Sequence, residues 1–201
     1  MKTKLFQVLA CVAMAALLTS CPETTVPDNF GATTIGLKPE NAEEWEGSWH
    51  PVDDPKEVFV FHVTDAPKGL MEIRDVPVPD PAASPQDPPK PPNIYTLMLR
   101  DTGVTTEEKL HFAIVKDTAK PGNGTLYLVR YPQDGVCILW GIDHEAVSAA
   151  ITSGEIQGLT KRDKDKNPQS ALGDDPADYP KLLSPKFWKW TEPAVLVKIK
   201  K

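Results

Sequence analysis

The sequence lacks the short motifs that mark common enzymes. It contains no Gly-x-Ser-x-Gly nucleophile turn, no glycine-rich phosphate loop before a helix and no cysteine beside an evident base. Paired carboxylates for hydrolysis need no such motif, because they can meet in three dimensions from distant positions. From the missing motifs we predict that the chain is not an enzyme and needs no cofactor.

Metal-ligand spacing is also missing. The four histidines, at positions 50, 62, 111 and 144, never occur as His-x-x-x-His. His62 and His111 have apolar neighbours and are predicted to be structural. The alternative is that the two side chains come together across a sheet and bind a metal. Asp163, Asp165 and Asn167 imitate the start of a calcium loop, with Asp174 twelfth, but Pro168 stands where the loop requires glycine. We therefore predict a solvated charged loop and no metal.

The chain has no excess of positive charge. It carries 22 basic and 28 acidic side chains, and residues 1–20 hold two of the lysines, so the remaining chain has a formal net charge of −8. Nucleic-acid binding depends on neutralising phosphates with Lys and Arg. This balance argues against a nucleic-acid partner and gives no polybasic help to membrane attachment.

The N-terminus has the layout of a secretory signal. Lys2 and Lys4 precede an apolar run over residues 5–18 that only Gln7 interrupts. Fourteen residues are too few for a membrane-spanning helix, which needs about 20. Residues 1–20 are therefore predicted to be a removable signal peptide.

The end of that run, Leu18-Thr19-Ser20-Cys21, resembles the bacterial lipobox. The resemblance implies cleavage between Ser20 and Cys21, diacylglycerol on the Cys21 sulfur and an acylated new amino terminus. The alternative is an ordinary signal peptide whose first mature residue is cysteine. Pro22 stands where retained inner-membrane lipoproteins often carry aspartate, so we expect a lipid anchor in the outer membrane, on a face that the sequence leaves undecided.

Cysteine is scarce in the remaining chain. Cys11 leaves with the signal and Cys21 takes the lipid, so Cys137 is the last cysteine and no internal disulfide can form. Cys137 lies in the apolar stretch GVCILWG at 135–141. We expect a buried and unreactive thiol there.

Composition divides the mature chain into three kinds of segment. Residues 21–42 are polar with little periodicity and are predicted to be a lipidated flexible tether. Residues 43–201 are predicted to be a single β-rich domain. Within it, 77–92 holds eight prolines and is interpreted as an extended surface loop, with a polyproline ligand for a partner groove as the alternative.

The apolar pattern of the domain has period two, which is typical of strands. Turns that place Pro early and Gly late separate these segments. Several have large apolar residues on both faces, which favours a sheet that is covered or closed. The predicted strands are 57–64, 70–76, 94–101, 109–116, 125–131, 136–142 and 194–200, and 155–160 is a candidate.

One helix is predicted near 144–153, since Asp143 can cap its start and Gly154 its end. Residues 161–178 are expected to be a polar loop, and 179–190 to hold one helical turn. The fold class is therefore mainly all-β: an antiparallel meander or barrel of about eight strands with a short helix.

The segment Glu44-Trp45-Glu46-Gly47-Ser48-Trp49 contains a Gly-x-Trp opening before the long strands. With the following meander it resembles lipocalin-like barrels. It is more similar still to uncharacterised bacterial lipoproteins that add a capped short helix and a Gly-x-x-x-Gly segment, here Gly154 to Gly158. The resemblance spans roughly 44–190 and implies a barrel able to hold a small apolar ligand.

Two functions follow from different classes. The first is a membrane-anchored interaction or structural protein that docks on another envelope component. The second is a lipocalin-like module that binds a small apolar ligand. We favour the first because the side chains assigned to the barrel interior are large enough to fill it. These are Phe112, Ile114, Leu126, Leu128, Ile138 and Trp140. The five tryptophans, at positions 45, 49, 140, 188 and 190, are expected to pack the core rather than line a pocket.

Overall fold

The computed structural model describes residues 22–76, 91–104, 109–120 and 122–200. Strands dominate them, as the sequence predicts. The strands in chain order are β1 (Glu23–Val26), β2 (Gly47–Pro51), β3 (Val58–Asp65), β4 (Leu70–Val76), β5 (Asn93–Arg100), β6 (Leu110–Asp117), β7 (Gly124–Gln133), β8 (Val136–Gly141), β9 (Gly158–Arg162), β10 (Pro168–Leu172) and β11 (Ala194–Lys198). The α-helices among the described residues are α1 (Pro39–Trp45), α2 (His144–Ser153) and α3 (Tyr179–Leu182).

Eight of the strands close into an antiparallel barrel. β2 to β8 pair with their neighbours in chain order, and β11 fills the last position between β8 and β2. The strand bounds agree with the predicted ones to within about two residues over most of the barrel. The prediction of a mainly β protein built on an eight-stranded antiparallel barrel is confirmed.

The barrel interior is packed with large apolar side chains. Every barrel strand contributes, and Trp45 from α1 enters at one end, where its ring packs on Phe61 and Tyr131 with centroids 5.9 and 6.3 Å apart. Trp45, Trp49 and Phe61 are at most 2% exposed. Burial of this apolar area is the main stabilising term of the barrel.

A second core lies outside the barrel wall. The outer faces of β6, β7 and β8 pack against α2, β10, α3 and the residues that follow α3. The six residues predicted to fill the interior, Phe112, Ile114, Leu126, Leu128, Ile138 and Trp140, belong to this outer core. That assignment is wrong because both faces of these strands are apolar. The smaller Ala113 and Val129 face inward, where the tryptophans already occupy the space.

Three strands extend the sheet away from the barrel. β1 pairs with Gly124 and Thr125 at the start of β7, and β10 and β9 follow it in that order. The prediction of a flexible tether over 21–42 is wrong for residues 22–42, since β1 forms there and Val26 and Phe30 are fully buried. The polar loop predicted over 161–178 likewise contains β10.

The helices agree in part with the sequence. In α2 the Asp143 side chain accepts a hydrogen bond from the Ala146 amide, and Gly154 has the left-handed conformation with φ 77°, as predicted. The single turn predicted within 179–190 is α3. We did not predict α1, because Ala42 and Trp45 give it almost no apolar periodicity and its start is marked only by Pro39.

Candidate functional site

Strand β9 forms an open edge of the sheet. It pairs with β10 on one side and ends the strand order. The Gly173 amide donates to the Gln157 carbonyl and the Asp163 amide to the Asn167 carbonyl, at 2.9 and 3.0 Å. Hydrogen-bonded pairs alternate in an antiparallel ladder, so Leu159 and Lys161 bond to β10. The N–H and C=O groups of the intervening residues, Gly158, Thr160 and Arg162, therefore face the open edge.

An open groove of about 570 Å³ runs between this edge strand and α2. The α2 wall is small and polar, with Ala149 and Ser153 along it, and the β9 wall carries Thr160 and Arg162. Strand side chains alternate between faces. Side chains of a strand added beside β9 would therefore enter this groove at every second position.

A chain of hydroxyl groups fixes α2 over the small sheet. Ser148 Oγ lies 2.8 Å from Thr160 Oγ1, which lies 3.0 Å from Ser170 Oγ. His144 Nδ1 is 2.9 Å from Oγ1 of the fully buried Thr24. These bonds satisfy polar groups in a mostly apolar layer and position α2 relative to β9, β10 and β1.

The charged side chains that line the groove are Glu145 of α2 and Lys161 and Arg162 of β9. Arg162 forms a two-pronged ion pair with Glu145, with N–O distances of 3.1 and 2.8 Å. Their mutual hydrogen bonds lower the pKa of Glu145 and raise the pKa of Arg162. Lys161 is exposed and forms no ion pair with a described residue. The β9 wall of the groove is therefore net positive.

The face of β9 that points away from α2 is apolar at one position. Leu159 is 78% exposed, more than the other exposed large apolar side chains of the described chain. It pairs with Ala171, which pairs in turn with Thr25. A strand added at the edge would cover Leu159 from the side.

The structure describes only some of the residues that the sequence singles out. Ser20 and Cys21 lie outside the described residues, as does the Pro-rich segment except for residues 91 and 92. Cys137 is buried in the barrel and desolvation raises the pKa of its thiol, which confirms the prediction of a buried thiol.

The histidines and acidic residues considered as metal ligands are dispersed. His62 is exposed beside Glu46, whereas His111 packs against Tyr131 with the ring centroids 4.4 Å apart. Asp163 accepts hydrogen bonds within its own turn, while Asp174 bonds to Asn29 and Tyr179. No three His, Cys, Asp or Glu side chains of the described residues form a metal-binding group.

Comparison with known proteins adds no relative. The chain matches no protein-family model, and no curated protein or solved structure is significantly similar to it. In the ranges that the structure covers, no helix is long and apolar enough to cross a lipid bilayer. The interpretation of the groove beside β9 therefore rests on its geometry and its lining residues.

We expect the free energy of unfolding to fall at acid pH, because protonation of His144 disrupts its contact with Thr24 of β1. Desolvation, with Lys189 nearby, lowers the pKa of His144 from 6.5 to about 4. The unfolded chain therefore binds more protons between pH 6.5 and 4, and stability falls as the pH drops through that window. At 1.36 kcal/mol per pKa unit the loss is on the order of 3 kcal/mol.

The measurement is urea unfolding from pH 7 to pH 3.5 for the wild type, His144→Gln and the exposed-site control His62→Gln. We expect His144→Gln to flatten the acid limb and His62→Gln to retain it. An acid limb of wild-type steepness in His144→Gln would contradict the assignment.

Proposed function

We propose that the chain is a lipid-anchored docking protein of a bacterial outer membrane that holds an extended segment of another envelope protein along β9. The observation that carries this proposal is the row of open backbone groups at Gly158, Thr160 and Arg162, which runs beside the α2 groove. Strand addition supplies affinity through main-chain hydrogen bonds and specificity through pockets for alternate side chains. The edge of β9 offers open main-chain groups, and the groove beside it offers space for alternate side chains.

The charge of the edge favours a partner over self-association. Short edge strands that carry lysine resist pairing with copies of themselves. β9 has five residues, and Lys161 and Arg162 are two of them. Two such edges would repel each other, whereas a segment with acidic residues would complement the positive wall.

Packing inside the barrel supports docking over the alternative of apolar-ligand binding. Lipocalin-like use needs an apolar cavity of roughly 300 Å³ or more with a mouth. The interior instead contains Trp45, Trp49, Phe61 and Met71, each at most 2% exposed, together with apolar side chains from all eight strands. The groove lies outside the barrel, on the added layer.

The anchor is supported by the N-terminal sequence. The lipobox-like segment at 18–21 implies several acyl chains on Cys21, and two or more chains release from a bilayer very slowly. A docking protein held in this way concentrates its partner at the membrane surface.

Removing the Cys21 sulfur should release the protein from the membrane. We expect Cys21→Ser to lose incorporation of an alkyne-tagged fatty acid and to leave the membrane fraction. Cys11→Ser, a change inside the predicted signal, is the matched control and should keep both properties. Continued labelling of Cys21→Ser would contradict the anchor.

The docking edge can be tested with a photo-crosslinking residue placed in intact cells at position 159, with position 120 in the β6–β7 turn as control. We expect a discrete adduct from 159 that maps to one extended segment of the partner. Ala149→Arg, which fills the groove, should abolish the adduct, whereas Ala119→Arg at an exposed turn should not. Equal adducts from position 120, or adducts that survive Ala149→Arg, would reject the site.

A further inference from the structure

Strand β1 begins two residues after the predicted lipidation site. Glu23 begins β1 and is aligned with Gln169 of β10, which is aligned with Lys161 of β9. Cys21 is two residues before Glu23, and consecutive Cα atoms are about 3.8 Å apart. The two peptide links before Glu23 can span at most about 8 Å, so the proposed lipid would join the chain close to the start of β1.

The turn between β9 and β10 lies at the same end of the small sheet. β1 runs parallel to β10, so the turn over residues 163–167 protrudes beyond Lys161 and Gln169 on the side where Cys21 precedes Glu23. Neighbouring strands are about 4.8 Å apart. The turn is therefore roughly 10 Å to the side of β1.

The end of β9 and this turn together carry an excess of positive charge in an acidic chain. The turn itself holds two lysines and two aspartates, and Lys161 and Arg162 precede it, so residues 161–167 have a formal charge of +2 against −6 for the whole sequence. Arg162 is paired with Glu145. Lys161, Lys164 and Lys166 are exposed and form no ion pair with a described residue. The Asp163 carboxylate is held inside the turn, where it accepts hydrogen bonds from the Asp165 and Asn167 amides at 2.8 and 2.9 Å.

We infer that the β9–β10 turn is a second membrane contact, in which Lys161, Lys164 and Lys166 lie against anionic lipid headgroups beside the lipid on Cys21. This inference rests on the proposed anchor. Attraction of lysines to an anionic surface decays within about 10 Å at 0.1 M salt, so it acts only where the lysines are held near that surface. Attachment at two points fixes how the sheet stands on the membrane and keeps the open edge of β9 close to it.

The test uses the full lipidated chain in vesicles of phosphatidylcholine with or without 30% phosphatidylglycerol (about one lipid in three), which carry a nitroxide on some headgroups. A fluorophore is attached to Asp165→Cys in the turn or to Ala119→Cys in the β6–β7 turn. Position 119 is a suitable control because β1 runs from Glu23 to Val26, which pairs with Gly124, so the β6–β7 turn lies at the opposite end of β1. Cys137 is 1% exposed and does not compete for the label.

We expect the label at 165 to be quenched at least twofold more than the label at 119 in anionic vesicles. The difference should shrink in 0.5 M salt (about 4 Å screening length by the same scaling) and in the double variant Lys164→Gln, Lys166→Gln. The control pair Lys38→Gln, Lys56→Gln makes the same change of charge at exposed sites elsewhere and should leave it unaltered.

Mass spectrometry of the N-terminal peptide distinguishes failure of the proposed lipid anchor from failure of the proposed headgroup contact. Absence of lipid on Cys21 would overturn the anchor itself. A lipidated chain with equal quenching at 165 and 119, or with the same quenching in neutral as in anionic vesicles, would overturn the headgroup contact and leave the anchor standing.

Discussion

One edge of β7 is divided between two partner strands, β8 and β1, while its other edge pairs with β6. This division positions the candidate site. β7 has ten residues and β8 has six, so the edge of β7 beyond β8 is left for β1. β8 continues the barrel, while β1 begins a separate three-stranded layer. Since β7 is shared, it joins this layer to the barrel, and both the open edge of β9 and the place where β1 begins follow from one pairing.

The outer core also holds the added three-stranded layer against the barrel. α2 and the segment after it cover the apolar outer faces of β6, β7 and β8, and α2 also lies over β9 and β10. Its buried side is apolar at Val147 and Ala150 but carries hydroxyl groups toward the small sheet. This polar contact makes the spacing between α2 and β9 specific, and a groove of defined width is what strand addition requires.

The barrel was predictable from sequence because period-two alternation, β-branched residues and Pro-Gly turns all agreed over 57–142. The face that points inward was not predictable, because Phe112 and Leu128 are followed by Ala113 and Val129, which are smaller but also apolar. β1 and β10 were missed because ETTV and PQSAL are short and polar, and they become strands only when β7 supplies an edge and α2 a cover. The groove was missed with them, although the candidate strand at 155–160 marked its position.

Partner docking requires that every second backbone group of β9 be open to an added strand. Residue-resolved amide hydrogen exchange of the isolated protein measures this opening. We expect slow exchange at Leu159 and Lys161, whose amides bond to β10, and fast exchange at Thr160 and Arg162, which face the edge. Uniform protection across all four amides would show that the edge is already covered and would rule out strand addition there.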